Sequence, residues 1–234
     1  MDKRESMWSV VKEYLFKVGL MEEAWTFVLD MIRTDRDMFR DAHHLLRIEY
    51  NNEQFNNLME VDKKINAMQQ KIREDVLTHF IVSDFSKYEV SQALGIITVI
   101  NGLERIGDNC KNIADLAMAA CKTVQYGDLE DTVTILEKIV FRHFDELLIA
   151  VEKDDLEISK RIMSEYKEDV SQKINATVIE LLKGNYSNLP PQNMVSAALY
   201  LRYLKRIDAN QRNVASLMVN PFKKIGYNYK ESKV

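Results

Sequence analysis

Proline is nearly absent: there are three in 234 residues, and none before Pro190. Glycine is almost as scarce, at seven. A chain so poor in turn formers makes few turns, and long helices need the fewest. Cysteine occurs twice, at Cys110 and Cys121. Eleven residues along one helix place these thiols ~16 Å apart, too far for a disulfide, and such sparing use suits a reducing cytoplasm. No run of eighteen apolar residues exists, so no segment reads as membrane-spanning. Met1-Asp2-Lys3-Arg4-Glu5 opens the chain without the apolar stretch of a signal peptide. The expected location is cytoplasmic. A basic excess is missing too: the net charge is −4, which speaks against a nucleic-acid binder. Neither a Gly-rich phosphate loop nor a Gly-x-Ser-x-Gly elbow occurs. Asp41-x-x-His44 stands alone, whereas a ferritin-type di-iron site repeats such a motif on facing helices. No catalytic residues are expected.

What is present suits helices. Hydrophobic residues make up 46%, enough for a real core, and charged residues 29%, enough for a wetted surface. The first helix is expected over roughly 5–48, with an interruption near Gly19 and a break at Asn51-Asn52. The second covers about 53–80, with Phe55, Leu58, Val61, Ile65, Met68 and Ile72 alternating by three and four. Ser83 is a plausible N-cap for a third helix over about 86–123. A fourth runs over about 129–152, and a fifth over about 155–183, closed by Gly184-Asn185. Pro190-Pro191 forces an extended link into a sixth over about 192–219. The eleven methionines read as core filling or as an adaptable binding surface.

Sliding the chain on itself by 101 residues lays the third helix on the sixth. The seam Ile96, Val99, Leu103, Ile106, Cys110, Ile113, Ala117 matches Ala197, Tyr200, Leu204, Ile207, Gln211, Val214, Met218. Between positions 103 and 117, seven of fifteen residues are identical. Shared periodicity explains matched apolar residues, but not Arg105/Arg206, Asn109/Asn210 and Asn112/Asn213. The fold class is therefore all-α: six helices in two tandem three-helix bundles related by internal duplication. The first repeat, with an N-terminal helical extension, spans 1–125. The second spans 126–220, after a boundary at Tyr126-Gly127-Asp128, and a short basic tail covers 221–234. In the extension, Trp8, Val11, Leu15 and Val18 follow a helical spacing that serves either docking or packing on the bundle.

The chemistry-bearing run is Leu103-Glu104-Arg105-Ile106-Gly107-Asp108-Asn109-Cys110-Lys111-Asn112-Ile113-Ala114. Glu104 and Asp108 are four apart and share a helix face, which Asn101 and Asn112 extend. That stripe points away from the apolar seam, towards the outer surface or a groove shared with another helix. Like charges one turn apart repel, and a hard cation would relieve them. Salt bridges to Arg105 or Lys111 would do the same. Cys110 lies on the apolar seam and reads as a packed thiol.

The run ERIGDNCKNIA, with the six-helix layout, resembles the PhoU family. The resemblance implies a regulatory helical protein that binds a phosphate transporter and/or its sensor histidine kinase. Such a protein sits at the membrane only through its partner, with homodimerisation as a further option. It also implies a surface metal cluster of iron, zinc or another divalent ion. The ligands carried over are Glu104 and Asp108, with Asp62 and, more weakly, Asn66 from the matching run Val61-Asp62-Lys63-Lys64-Ile65-Asn66. Asn66 stands where the family has a second acid. In the second repeat Lys205 replaces Glu104 and Ala209 replaces Asp108. A shift near 105 sets Lys167 against Asp62 and Ser171 against Asn66. The cluster is therefore expected in the first repeat alone, and Asp208 is expected to pair with an Arg or Lys. A metal-binding helical protein without a phosphate role, an accessory partner of a sodium–phosphate symporter and a generic helical interaction module remain alternatives.

Overall fold

Asn51 makes the first corner among the described residues. Its Oδ1 accepts the backbone N–H groups of Glu53 (2.8 Å) and Gln54 (3.0 Å), two donors that an opening helix leaves unpaired. Asp155 does the same for Glu157 and Ile158, both at 3.0 Å. The two caps stand 104 positions apart, so the turn chemistry repeats along with the helices.

The computed structural model describes residues 19–82, 87–120, 123–220 and 222–227. Among them are six helices and no strand. We label them α1 (Gly19–Arg47), α2 (Asn52–Val82), α3 (Lys87–Ala120), α4 (Glu130–Lys153), α5 (Leu156–Glu165, a π turn at Tyr166–Ser171, then Gln172–Leu182) and α6 (Pro191–Val219). Apart from the start of α1, expected near residue 5, these bounds fall within a few residues of those expected. The segment before Gly19, including Trp8, Val11, Leu15 and Val18, lies outside the described residues, as do Ser83, Cys121 and the end of the tail.

Helices α1, α2 and α3 pack on one another, and so do α4, α5 and α6. All fourteen residues of the two matched seams are buried. The bundles join where α3 lies against α6 and α1 against α4. At the second contact Phe39 is buried with its ring centroid 4.6 Å from that of Phe141 and 5.8 Å from that of Phe144. Such aromatic pairs add ~0.5–1.5 kcal/mol beyond burial. Between α3 and α4 the chain turns at Gly127, whose φ of +51° suits a residue without Cβ.

The tail differs from a free solvated strand over its first residues. Residues 222–227 fold back on α6. Gly226 N–H donates to Ser216 Oγ (2.9 Å), and Asn220 Nδ2 donates to the carbonyls of Lys224 (3.2 Å) and Tyr227 (3.0 Å). Lys223 and Lys224 stay exposed.

Arg47, at the end of α1, clasps the two bundles together. Its Nε donates to Glu137 of α4 (2.9 Å), and its other nitrogens donate to Glu130 and to the carbonyl of Val124. The guanidinium lies 4.9 Å from the Tyr126 ring centroid, and Tyr126 stacks on Tyr200 at 6.1 Å. Tyr200 donates its hydroxyl to the same Glu137 oxygen (2.9 Å). Burial alone would raise the Glu137 pKa. Hydrogen bonding from His43 and the charge of Arg47 outweigh it, so the carboxylate sits below its ordinary range. The ion pair is 7% exposed on each side. Replacing Arg47 with Met strands that carboxylate, and the expected loss is about 3–5 kcal/mol in denaturant unfolding. Adding Glu137→Gln recovers part of it. A loss for Arg47→Met below about 1 kcal/mol contradicts the clasp.

Candidate functional site

Gly107 brings α2 and α1 close to α3. A Cβ there would stand 3.2 Å from Ile65 Cδ1, 3.7 Å from Asp62 Oδ1 and 3.8 Å from Asp35 Oδ1. Carboxylates from α1 and α2 therefore face one bare patch of α3. Asp62 is only 8% exposed. Of the two expected settings for the acidic stripe, the outer surface or a groove shared with another helix, the shared junction is where its expected α2 partner Asp62 lies buried, because the missing side chain at Gly107 lets the helices close over it.

Three of the four expected ligands form one network. Lys111 Nζ sits 3.0 Å from Asp62 Oδ2 and 2.9 Å from Asp108 Oδ1. Asn66 Nδ2 donates to the same Asp62 oxygen at 3.2 Å. Burial disfavours the ammonium, but the hydrogen bonds to Asp108 and Asp62 outweigh it and raise the Lys111 pKa. Glu104 lies on the same face and joins no hydrogen bond or ion pair among the described residues. Burial, then the Asp108 charge, raises its pKa, against the pull of Arg105 and Lys111. No group of three or more His, Cys, Asp or Glu side chains among the described residues is arranged to hold a metal ion. With an ammonium between Asp62 and Asp108, the four residues as placed do not fit a metal cluster. Asp108 also borders a groove between α3 and α6 of about 490 Å³, lined by Arg105, Asn109, Asn112, Arg206 and Asn210. Asn101 is drawn to α2, where Gln69 (3.2 Å) and Arg73 (2.5 Å) donate to its Oδ1.

Asp35 is the residue that the sequence reading missed. It is fully buried, and neither carboxylate oxygen has a hydrogen-bond partner. Burial, and then the charges of Asp62 and Glu104, push its pKa well above the ordinary carboxylate value. The signal was there: Asp35 occupies a core position in the series Val28, Met31, Ile32, Met38, Phe39, Ala42, all of them buried. Cys110 is buried nearby, and its thiol pKa is pushed well up by burial and then by Asp35 and Asp62. That agrees with a packed thiol rather than a nucleophile.

The second bundle fills the equivalent place differently. Asp208 stands where Gly107 stands in the first copy, and it is fully buried. Its partner is His143, not the expected Arg or Lys: Nδ1 lies 2.7 Å from Asp208 Oδ1, and Nε2 lies 3.1 Å from Glu165 Oε2. Burial opposes the charged ring, yet Asp208 and then Glu165 prevail and raise the His143 pKa. The register of α5 also needs correction. Its π turn, Tyr166–Ser171, inserts a residue, so the shift passes from the 104 of the caps at the start of the turn to 105 at its end. Tyr166, not Lys167, is therefore the counterpart of Asp62. Contacts agree. Arg212, 101 residues beyond Lys111, lies 4.8 Å from the Tyr166 ring centroid. The pairing of Asn66 with Ser171 keeps the later shift.

Asp35 makes stability depend on pH. An acid whose pKa is raised on folding favours the folded state below its unfolded pKa of ~3.9, and that contribution is lost as pH rises through the folded value. Asp35→Asn is therefore expected to gain about 1 kcal/mol or more at pH 8, a rise of about 2–4 °C in thermal midpoint, and close to nothing at pH 4. An unchanged or lower midpoint at pH 8 contradicts this.

Comparison with known proteins accords with this geometry. Residues 28–117, which lie within the first bundle, match the family model of the PhoU domain. No curated protein matches the sequence significantly. The chain is similar to the crystal structure of PhoU from Pseudomonas aeruginosa, with a TM-score of 0.76 at 21% identity, over 86% of this chain and 95% of that one. It is also similar to the phosphate transport system regulatory protein PhoU from Streptococcus pneumoniae, with a TM-score of 0.70 at 16% identity, over 87% and 94%. Residues 28–117 match the PhoU domain, and the six-helix chain has the fold of those PhoU structures over more than four fifths of its length.

Proposed function

We propose that this protein regulates phosphate uptake and phosphate signalling as a helical adaptor. It docks on a phosphate transporter, on its sensor histidine kinase, or on both, from the cytoplasmic side. The observation that carries the reading is the PhoU domain over α1–α3 within a chain that has the PhoU fold throughout. The described helices support docking rather than insertion: none is long and apolar enough to cross a membrane. Outer faces also offer apolar side chains to a protein partner, among them Ile179 and Leu182 on α5 and Val195 and Leu199 on α6.

Deleting the gene is expected to change phosphate uptake and the output of the phosphate sensor in phosphate-rich medium, with restoration by the native chain. A tagged chain should co-purify with a subunit of the phosphate transporter or with the kinase. Unchanged uptake together with unchanged sensor output rejects the reading. Capture of a sodium-coupled phosphate carrier with unchanged sensor output would favour the accessory role instead.

A further inference from the structure

We propose that Lys111 is the resident cation of the first bundle, and that its ammonium excludes a divalent ion from the carboxylates of Asp62 and Asp108. The inference is independent of the phosphate reading.

Position comes first. One nitrogen bridges a carboxylate of α2 and a carboxylate of α3 at 3.0 and 2.9 Å. A hard divalent ion binds carboxylate oxygen at ~2.0–2.6 Å. An ion held by these same two oxygens would overlap the ammonium and meet its charge directly. The two occupants are mutually exclusive.

Saturation comes second. Asp62 Oδ2 already accepts from both Lys111 and Asn66, and Asp62 is nearly buried. Displacing the lysine would also break its contact with Asp108. The side chain is anchored at both ends of the gap rather than swinging in solvent, being 29% exposed.

The duplicated copy supplies an internal control. There the two bridged carboxylates are gone, with Tyr166 in place of Asp62 and Ala209 in place of Asp108. The cation persists as Arg212, redirected onto the Tyr166 ring and the carbonyl of Gly226. A positive charge at this level of the last helix is thus common to both copies, and its partner changes with the residues it faces.

The test is Mn²⁺ binding to the full-length chain purified without chelator, read by paramagnetic resonance of free Mn²⁺ and by elemental analysis after desalting. The native chain is expected to retain no stoichiometric metal. Lys111→Met, which keeps the apolar stem and removes the charge, is expected to bind Mn²⁺ about tenfold more tightly or better, equivalent to ~1.4 kcal/mol. Lys111→Arg should stay metal-free, and adding Asp62→Asn to Lys111→Met should abolish the gain. A folded Lys111→Met variant with no gain overturns the proposal. If that variant does not fold, the native chain alone still carries the test: stoichiometric Mn²⁺ that is lost on Asp108→Asn overturns it, and its absence supports it.

Discussion

A helical bundle that gathers carboxylates at one level must bring positive charge or a proton to meet them. In the first bundle Lys111 supplies the charge, bridging Asp62 and Asp108 across the α2–α3 interface. Asp35, deeper and without a hydrogen-bond partner, is pushed towards its neutral form by burial instead. The second bundle meets the same demand with an imidazole between Asp208 and Glu165. Position 35 of the first copy and position 143 of the second are both fully buried polar sites on the first helix of their bundle.

The union of the two bundles depends on a third arrangement of charge. Arg47 closes the end of α1 onto α4 and onto the connector that follows α3. Around it Tyr126 and Tyr200 exclude water, and burial pushes the Tyr126 pKa up to about 12. With α3 and α6 packed along their length, this end is held as one body. The proposed adaptor role would gain from that rigidity, because a surface presented by two bundles keeps its shape only if the bundles keep their relation.

Much of this was legible in the residues. The three-four alternation located both seams, and all fourteen of those positions are buried. The non-apolar matches, Arg105 with Arg206 and Asn109 with Asn210, revealed the repeat, because core periodicity does not require them. The site was only half legible. Glu104 and Asp108 were found from spacing within one helix, and Lys111 was named among the residues able to neutralise them. Asp35 was not found, since an acid at a core position reads from sequence as an irregularity in a helix face. The bridge to Asp62 was hidden too, because it depends on how closely α2 approaches at Gly107. The counterpart of Asp62 was set one residue late, at Lys167, because a π turn leaves no sign in apolar periodicity until its far side is aligned.

The bridging lysine is the point at which this scaffold departs from a metal centre, and a crystallographic experiment addresses it most directly. Crystals grown with Mn²⁺ and measured at an anomalous wavelength should show Lys111 Nζ between Asp62 and Asp108, with no anomalous peak at that junction. A peak within ~2.0–2.6 Å of both carboxylates, with the lysine swung away, would contradict it.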